Sequence, residues 1–110
     1  MAAQVKETTL DRKREAADLA QIKTILRRAL GAKRCAVYLF GSRATGSARP
    51  TSDYDIAVSA DEDISRELSI ARDWLEDSTI PVRVDVVDLR RAAPSFRLAA
   101  QTHGVLLWRN

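Results

Sequence analysis

The stretch Ala36-Val37-Tyr38-Leu39-Phe40-Gly41-Ser42, followed after ten residues by Asp53-Tyr54-Asp55-Ile56-Ala57-Val58-Ser59-Ala60, decides how this chain folds. Ala36 to Phe40 is apolar and rich in β-forming residues, so it reads as a strand. Gly41-Ser42 stops it. Glycine permits a sharp backbone turn and a close approach by a ligand. Ser42 offers a hydroxyl and a backbone N–H to a phosphate oxygen, and a short helical turn from Arg43 would aim further N–H groups the same way. Gly46 to Ser52, with Pro50, is a loop. Asp53 to Ala60 reads as a second strand.

Alternation sets the direction of the carboxylates. Residues i and i+2 of a strand share a face. Asp53, Asp55, Ala57 and Ser59 therefore lie on one side, and Tyr54, Ile56, Val58 and Ala60 on the other. Further along, Val82, Val84 and Val86 alternate with Arg83, Asp85 and Val87. Each strand has an apolar face for a core and a second face bearing acid. If the two strands are neighbours, Asp53, Asp55 and Asp85 converge.

Converging carboxylates repel one another, so positive charge is expected beside them. Mg²⁺ suits such a site, because it takes oxygen ligands and is completed by substrate phosphates. Two such ions can clamp the attacking and leaving oxygens of an in-line displacement at phosphorus. Taken singly, Asp-x-Asp, Gly-Ser and Asp85 are ordinary features of turns and strand ends. Their occurrence in order, with these spacings, is specific.

Gly41-Ser42-Arg43-Ala44-Thr45-Gly46, continued by Ser52-Asp53-Tyr54-Asp55-Ile56, resembles the signature of the minimal nucleotidyltransferases in the polymerase-β-like superfamily. Val84-Asp85-Val86-Val87-Asp88-Leu89 resembles the strand of their third carboxylate. Gly104-Val105-Leu106-Leu107-Trp108 resembles their usual ending. The resemblance runs from about Ala36 to the C-terminus. It implies that Ser42, with Gly41 and Arg43, contacts the nucleotide, and that Asp53, Asp55 and Asp85 bind two Mg²⁺ beside ATP. It also implies an antitoxin that transfers AMP onto a small helical HEPN-type toxin partner. Thr45 departs from the pattern, since many relatives carry arginine there.

Composition fits this reading. The chain has 110 residues, enough for one domain spanning 1–110, and is 45% hydrophobic and 30% charged. No run of about 18 apolar residues could cross a membrane. Met1 to Leu10 lacks the apolar centre of a signal peptide, so the expected location is cytoplasmic. The single Cys35 forms no internal disulfide and reads as a buried, inert thiol. A net charge of +3 raises nucleic acid as a partner. The basic residues are scattered, however, and aromatic residues make up only 5%, which argues against a base-stacking platform. Arg43, Arg49 and Arg83 flank the acidic site. They serve either the triphosphate or the neighbouring carboxylates.

The remainder is scaffold. Residues 9–30 read as a helix striped by Leu19, Ile22, Leu26 and Ala29, capped by Thr8-x-x-Asp11 and stopped at Gly31. A second helix covers about 65–77, preceded by Asp61, Glu62 and Asp63 at its positive end. A third runs from about Pro94 to Thr102. His103 stands at its end, and Asp88 caps or turns the chain. The expected fold class is α/β (α+β): a small mixed sheet, helices on one face, acids on the open face. The expected reaction is Mg²⁺-dependent transfer of a nucleotide to a hydroxyl, in which Asp85 either takes the proton or acts by coordination alone. So small a domain supplies half a cleft, which a partner protein or a second copy would complete. Contact masking by a catalytically silent antitoxin, and transfer to a small molecule, are the alternatives.

Overall fold

A computed structural model describes residues 9–110, in the order α1 (Thr9–Leu30), β1 (Cys35–Phe40), α2 (Ser42–Thr45), β2 (Tyr54–Ala60), α3 (Ser65–Glu76), β3 (Val84–Asp88), α4 (Pro94–His103) and β4 (Val105–Arg109). Thr8, and with it the proposed Thr8-x-x-Asp11 cap, lies outside the described residues, as does most of the Met1 to Leu10 segment. The strands form one mixed sheet in the order β3-β2-β1-β4. β1 is antiparallel to both β2 and β4, whereas β2 and β3 run parallel.

The alternation seen in the sequence sets the two faces. Val37, Leu39, Tyr54, Ile56, Val58, Val86 and Trp108 point to one side, where α1 and α3 cover them with Ile22, Leu26, Leu68, Ala71 and Leu75. Ile22, Leu26, Ile56 and Leu68 are fully buried there. α1 stops where expected, at a Gly31 with φ 58° whose N–H bonds to the Arg27 carbonyl at 3.0 Å. The Ser65 end of α3 is held by Asp63, whose carboxylate accepts the Ser65 N–H at 2.9 Å, while Glu62 pairs with Lys33 at 2.7 Å. These acids thus serve as cap and surface pair. Asp88 likewise turns the chain, accepting the Arg90 N–H at 3.0 Å. Cys35 is buried, and burial raises its thiol pKa, as befits an inert core residue.

The expected mixed α/β sheet is present, but α4 departs from the one-sided arrangement. It packs Ala100 on Ala36, Tyr38 and Ala57, which belong to the same face as Asp55. Sheet order explains this. β3 and β4 lie at opposite edges, so their connection must traverse the sheet. α1 and α3 already occupy one face, leaving the acidic face for the crossing. Phe96 of α4 meets Phe40 edge-to-face, with ring centroids 5.4 Å apart.

Candidate active site

Gly41 ends β1 in a conformation, φ 72° and ψ −157°, that only glycine adopts readily. A Cβ built there would collide with the Asp55 carboxylate. The close approach that glycine allows is therefore made by a side chain of the site itself. Ser42 opens α2, and the Ala44 and Thr45 N–H groups bond back to the Gly41 carbonyl at 3.1 and 3.2 Å. The Ser42 and Arg43 N–H groups precede the first intrahelical donor, Ala44, and so point outward from the helix start with no acceptor within the helix.

Asp55 and Asp85 are direct register partners on β2 and β3, so their side chains project from the same face. Asp53 lies exposed, one residue ahead of β2. Among the described residues, no three Asp, Glu, His or Cys side chains stand close enough to hold one metal ion. The structure thus brings Asp55 and Asp85 together and sets Asp53 at the rim. All three are nevertheless coupled. Burial, and then the charges of Asp85 and Asp53, raise the Asp55 pKa above the usual carboxylate value. The donor set is all oxygen, and Arg83 offsets its negative charge only in part, which fits a hard divalent cation.

The basic neighbours separate into two kinds. Arg83 is exposed and lies 3.8 Å from Asp85, a loose contact that leaves it free to swing. Arg43 is turned inward and only 9% exposed. Its Nη1 donates to Glu15 of α1 at 2.7 Å. Its Nε and Nη2 donate to the Ser52 carbonyl at 3.2 and 2.7 Å, and Nη2 also to the Pro50 carbonyl at 3.2 Å. The guanidinium lies 4.2 Å from the ring centre of Tyr54, whose hydroxyl donates to buried Asp18 at 2.8 Å. The Arg43 side chain is thus committed inside the protein. What it leaves for a nucleotide is its backbone N–H.

Glu15, Asp18 and the Tyr54 hydroxyl escaped the sequence reading. A signal existed for Asp18, because it occupies the i−4 position to Ile22 in the buried stripe Asp18, Ile22, Leu26, Leu30. A buried acid needs a partner, and so does a tyrosine hydroxyl on the core face of β2.

The family model described as "Polymerase beta, Nucleotidyltransferase" matches residues 20–110. The chain belongs to the polymerase β nucleotidyltransferase family. This nucleotidyltransferase is 37% identical over 84 residues to the probable protein adenylyltransferase MntA of Haemophilus influenzae, covering 73% of this chain and 69% of that protein. Its fold is similar to a chain in a crystal structure of a toxin–antitoxin with AMP-PNP (TM-score 0.63, 32% identity, 82% of this chain and 73% of that one). A further similarity is to a chain in the structure of a tri-AMPylated Shewanella oneidensis HEPN toxin in complex with MNT antitoxin (TM-score 0.62, 29% identity, 86% and 72% covered). Among the described residues, no helix of the nucleotidyltransferase is long and apolar enough to cross a membrane.

Proposed function

We propose that the nucleotidyltransferase moves AMP from ATP onto a hydroxyl of a partner protein, and that this partner is a HEPN-type toxin for which it serves as antitoxin. The observation that carries this reading is the adjacent register of Asp55 and Asp85 on one face, with Gly41 packed against Asp55. The relative named a protein adenylyltransferase, and the AMPylated HEPN toxin in the similar complex, support the choice of acceptor.

Each residue has a definite task in this reading. The Ser42 hydroxyl and the N–H groups of Ser42 and Arg43 receive phosphate oxygens. Asp53, Asp55 and Asp85 would hold two Mg²⁺. When bound, these ions would neutralise triphosphate charge and make the acceptor hydroxyl easier to deprotonate. Asp55 spans both halves of the site, since it touches the Gly41 turn on one side and neighbours Asp85 on the other. In-line displacement places the entering and leaving oxygens opposite one another. The Gly41–Ser42 turn follows β1, so pyrophosphate leaves on that side and the acceptor enters from the outer side of β3. A groove of about 450 Å³ runs along that edge between α3 and β3, lined by Leu75, Ile80, Val82, Val84 and Val86 on the core side together with Arg83 and Asp85. Asp85, on the edge strand, is the carboxylate this reading assigns to the acceptor hydroxyl. Arg83 can leave Asp85 to balance phosphate charge.

The test is incubation of the chain with α-labelled ATP, Mg²⁺ and a co-expressed HEPN toxin. Label should pass to the toxin with the wild-type chain and not with Asp55→Asn. Full labelling by that variant, or inhibition of the toxin without any label, overturns the proposal.

A further inference from the structure

We infer that Arg43 is a positioning residue, and that Glu15 and Asp18 of α1 are its anchor, together fixing Asp53 relative to Ser42. The inference rests on the nucleotidyl-transfer reading for its kinetic consequences, but the geometry stands alone.

The two ends of the nucleotide site come from different segments. Ser42 belongs to α2, and Asp53 follows the loop that α2 feeds. Nothing in β1–β2 pairing reaches Asp53, because the ladder stops at Phe40 opposite Asp55. The loop between them is closed on itself by Ser52, whose N–H bonds to the Arg49 carbonyl at 2.9 Å and whose hydroxyl accepts the Arg49 N–H at 2.8 Å. That turn still needs attachment to the body of the protein. Arg43 supplies it, gripping the carbonyls of Pro50 and Ser52 with one guanidinium. On the far side of Asp53, the Tyr54 N–H bonds to the Arg83 carbonyl at 3.0 Å. The backbone on both sides of Asp53 is therefore held, one side by Arg43 and the other by the strand beyond.

Arg43 in turn is held from α1. Glu15 fixes one arm of the fork, and Tyr54, tied to Asp18, offers the ring face over which the guanidinium sits. A planar fork reaches an acid and two separated carbonyls with donors held in fixed directions; a lysine's three donors sit on one compact, flexible head. Glu15 and Asp18 precede the segment matched by the family model, which begins at residue 20. An anchor outside the matched segment thus sets the geometry inside it.

Groups that orient metal-binding side chains typically change metal affinity or activity by about 10–100-fold when lost. Arg43→Lys and Glu15→Gln are the informative variants, since both keep size and polarity. In the metal-free chain, hydrogen exchange of the amides of Arg49, Thr51, Ser52 and Asp53 should speed up at least about tenfold in each variant, while the amides of β1 and α3 keep wild-type protection. Mn²⁺ affinity, measured calorimetrically with AMP-PNP present, should fall about 10–100-fold in both. Glu15→Gln separates positioning from direct contact. If the Arg43 side chain instead bound the nucleotide, releasing it from Glu15 would leave AMP-PNP affinity unchanged or higher. Three results overturn the inference: wild-type exchange at 49–53 in both variants, wild-type Mn²⁺ affinity in both, or protection lost evenly along the whole chain. Should Arg43→Lys fail to fold, Glu15→Gln decides the matter by itself. Loss of AMP transfer in the wild-type chain would count against the proposed function and leave the exchange result standing.

Discussion

Asp55 carries a charge that its surroundings disfavour. Burial and two like charges raise its pKa, so the folded chain binds that proton more tightly than the unfolded chain does. The sign follows from linkage: the ionised form costs stability at neutral pH, and the cost disappears as pH falls through the raised pKa. Asp55→Asn should therefore melt above the wild type at about pH 7 without metal, with the gap closing toward about pH 4. A gap of constant size across that range would contradict the linkage. Gly41 is bound to the same carboxylate by shape. Gly41→Ala forces a side chain into glycine-only backbone space at a cost of about 1–3 kcal/mol, and it displaces Asp55 as well. Transfer should fall far more than the melting temperature does, as paired kinetic and thermal measurements would show. Much of this residue-level picture was legible in the sequence, because alternation alone put Asp55 and Asp85 on polar faces. Arg43 was not. A four-residue helix gives no periodicity from which to read direction, and an arginine beside a phosphate-binding turn is consistent with either orientation until its partners on α1 are known.

At the scale of elements, α1 does more than cover the core. Tyr54 is 1% exposed and Asp18 8%, and their hydrogen bond joins α1 to β2 between the two acids of the Asp-x-Asp pair. Tyr54→Phe keeps the ring under Arg43 but leaves a buried carboxylate without its donor, costing about 1–3 kcal/mol by urea unfolding. An unchanged midpoint would show that Asp18 finds another partner. β3 shows a related economy. It is an edge strand, and Arg72 of α3 donates to its Val86 carbonyl at 2.8 Å, covering an acceptor that would otherwise invite pairing by another chain. The strands and long helices were readable from hydrophobic period. The crossing of α4 over the acidic face was not, because it depends on β4 pairing with β1, and the four apolar residues Val105 to Trp108 do not say which edge they join.

For the molecule as a whole, the proposed function has nucleotide and metal complete the site. An ATP analogue with Mg²⁺ that binds only the folded state, at a hundredfold excess over Kd, should stabilise it by about 2.7 kcal/mol. Asp55→Asn should show little of that gain in a thermal shift with AMP-PNP. Equal shifts for both proteins would place the nucleotide elsewhere. Surface character points outward as well. Trp74 is 42% exposed under Arg28, and Phe96, Leu98, Val105 and Leu106 are exposed along α4 and β4. The parallel pairing of β3 with β2 has a further consequence for the order of assembly. β1 and β2 are close in sequence and can zip early, bringing Gly41, Ser42 and Asp55 together through short loop closures. Asp85 joins only when a strand that touches a single neighbour docks from far along the chain. Under the proposed function, a breathing motion that frees that margin would leave a protein still able to grasp phosphate yet chemically idle, so turnover should track the local opening equilibrium of one peripheral strand rather than global unfolding.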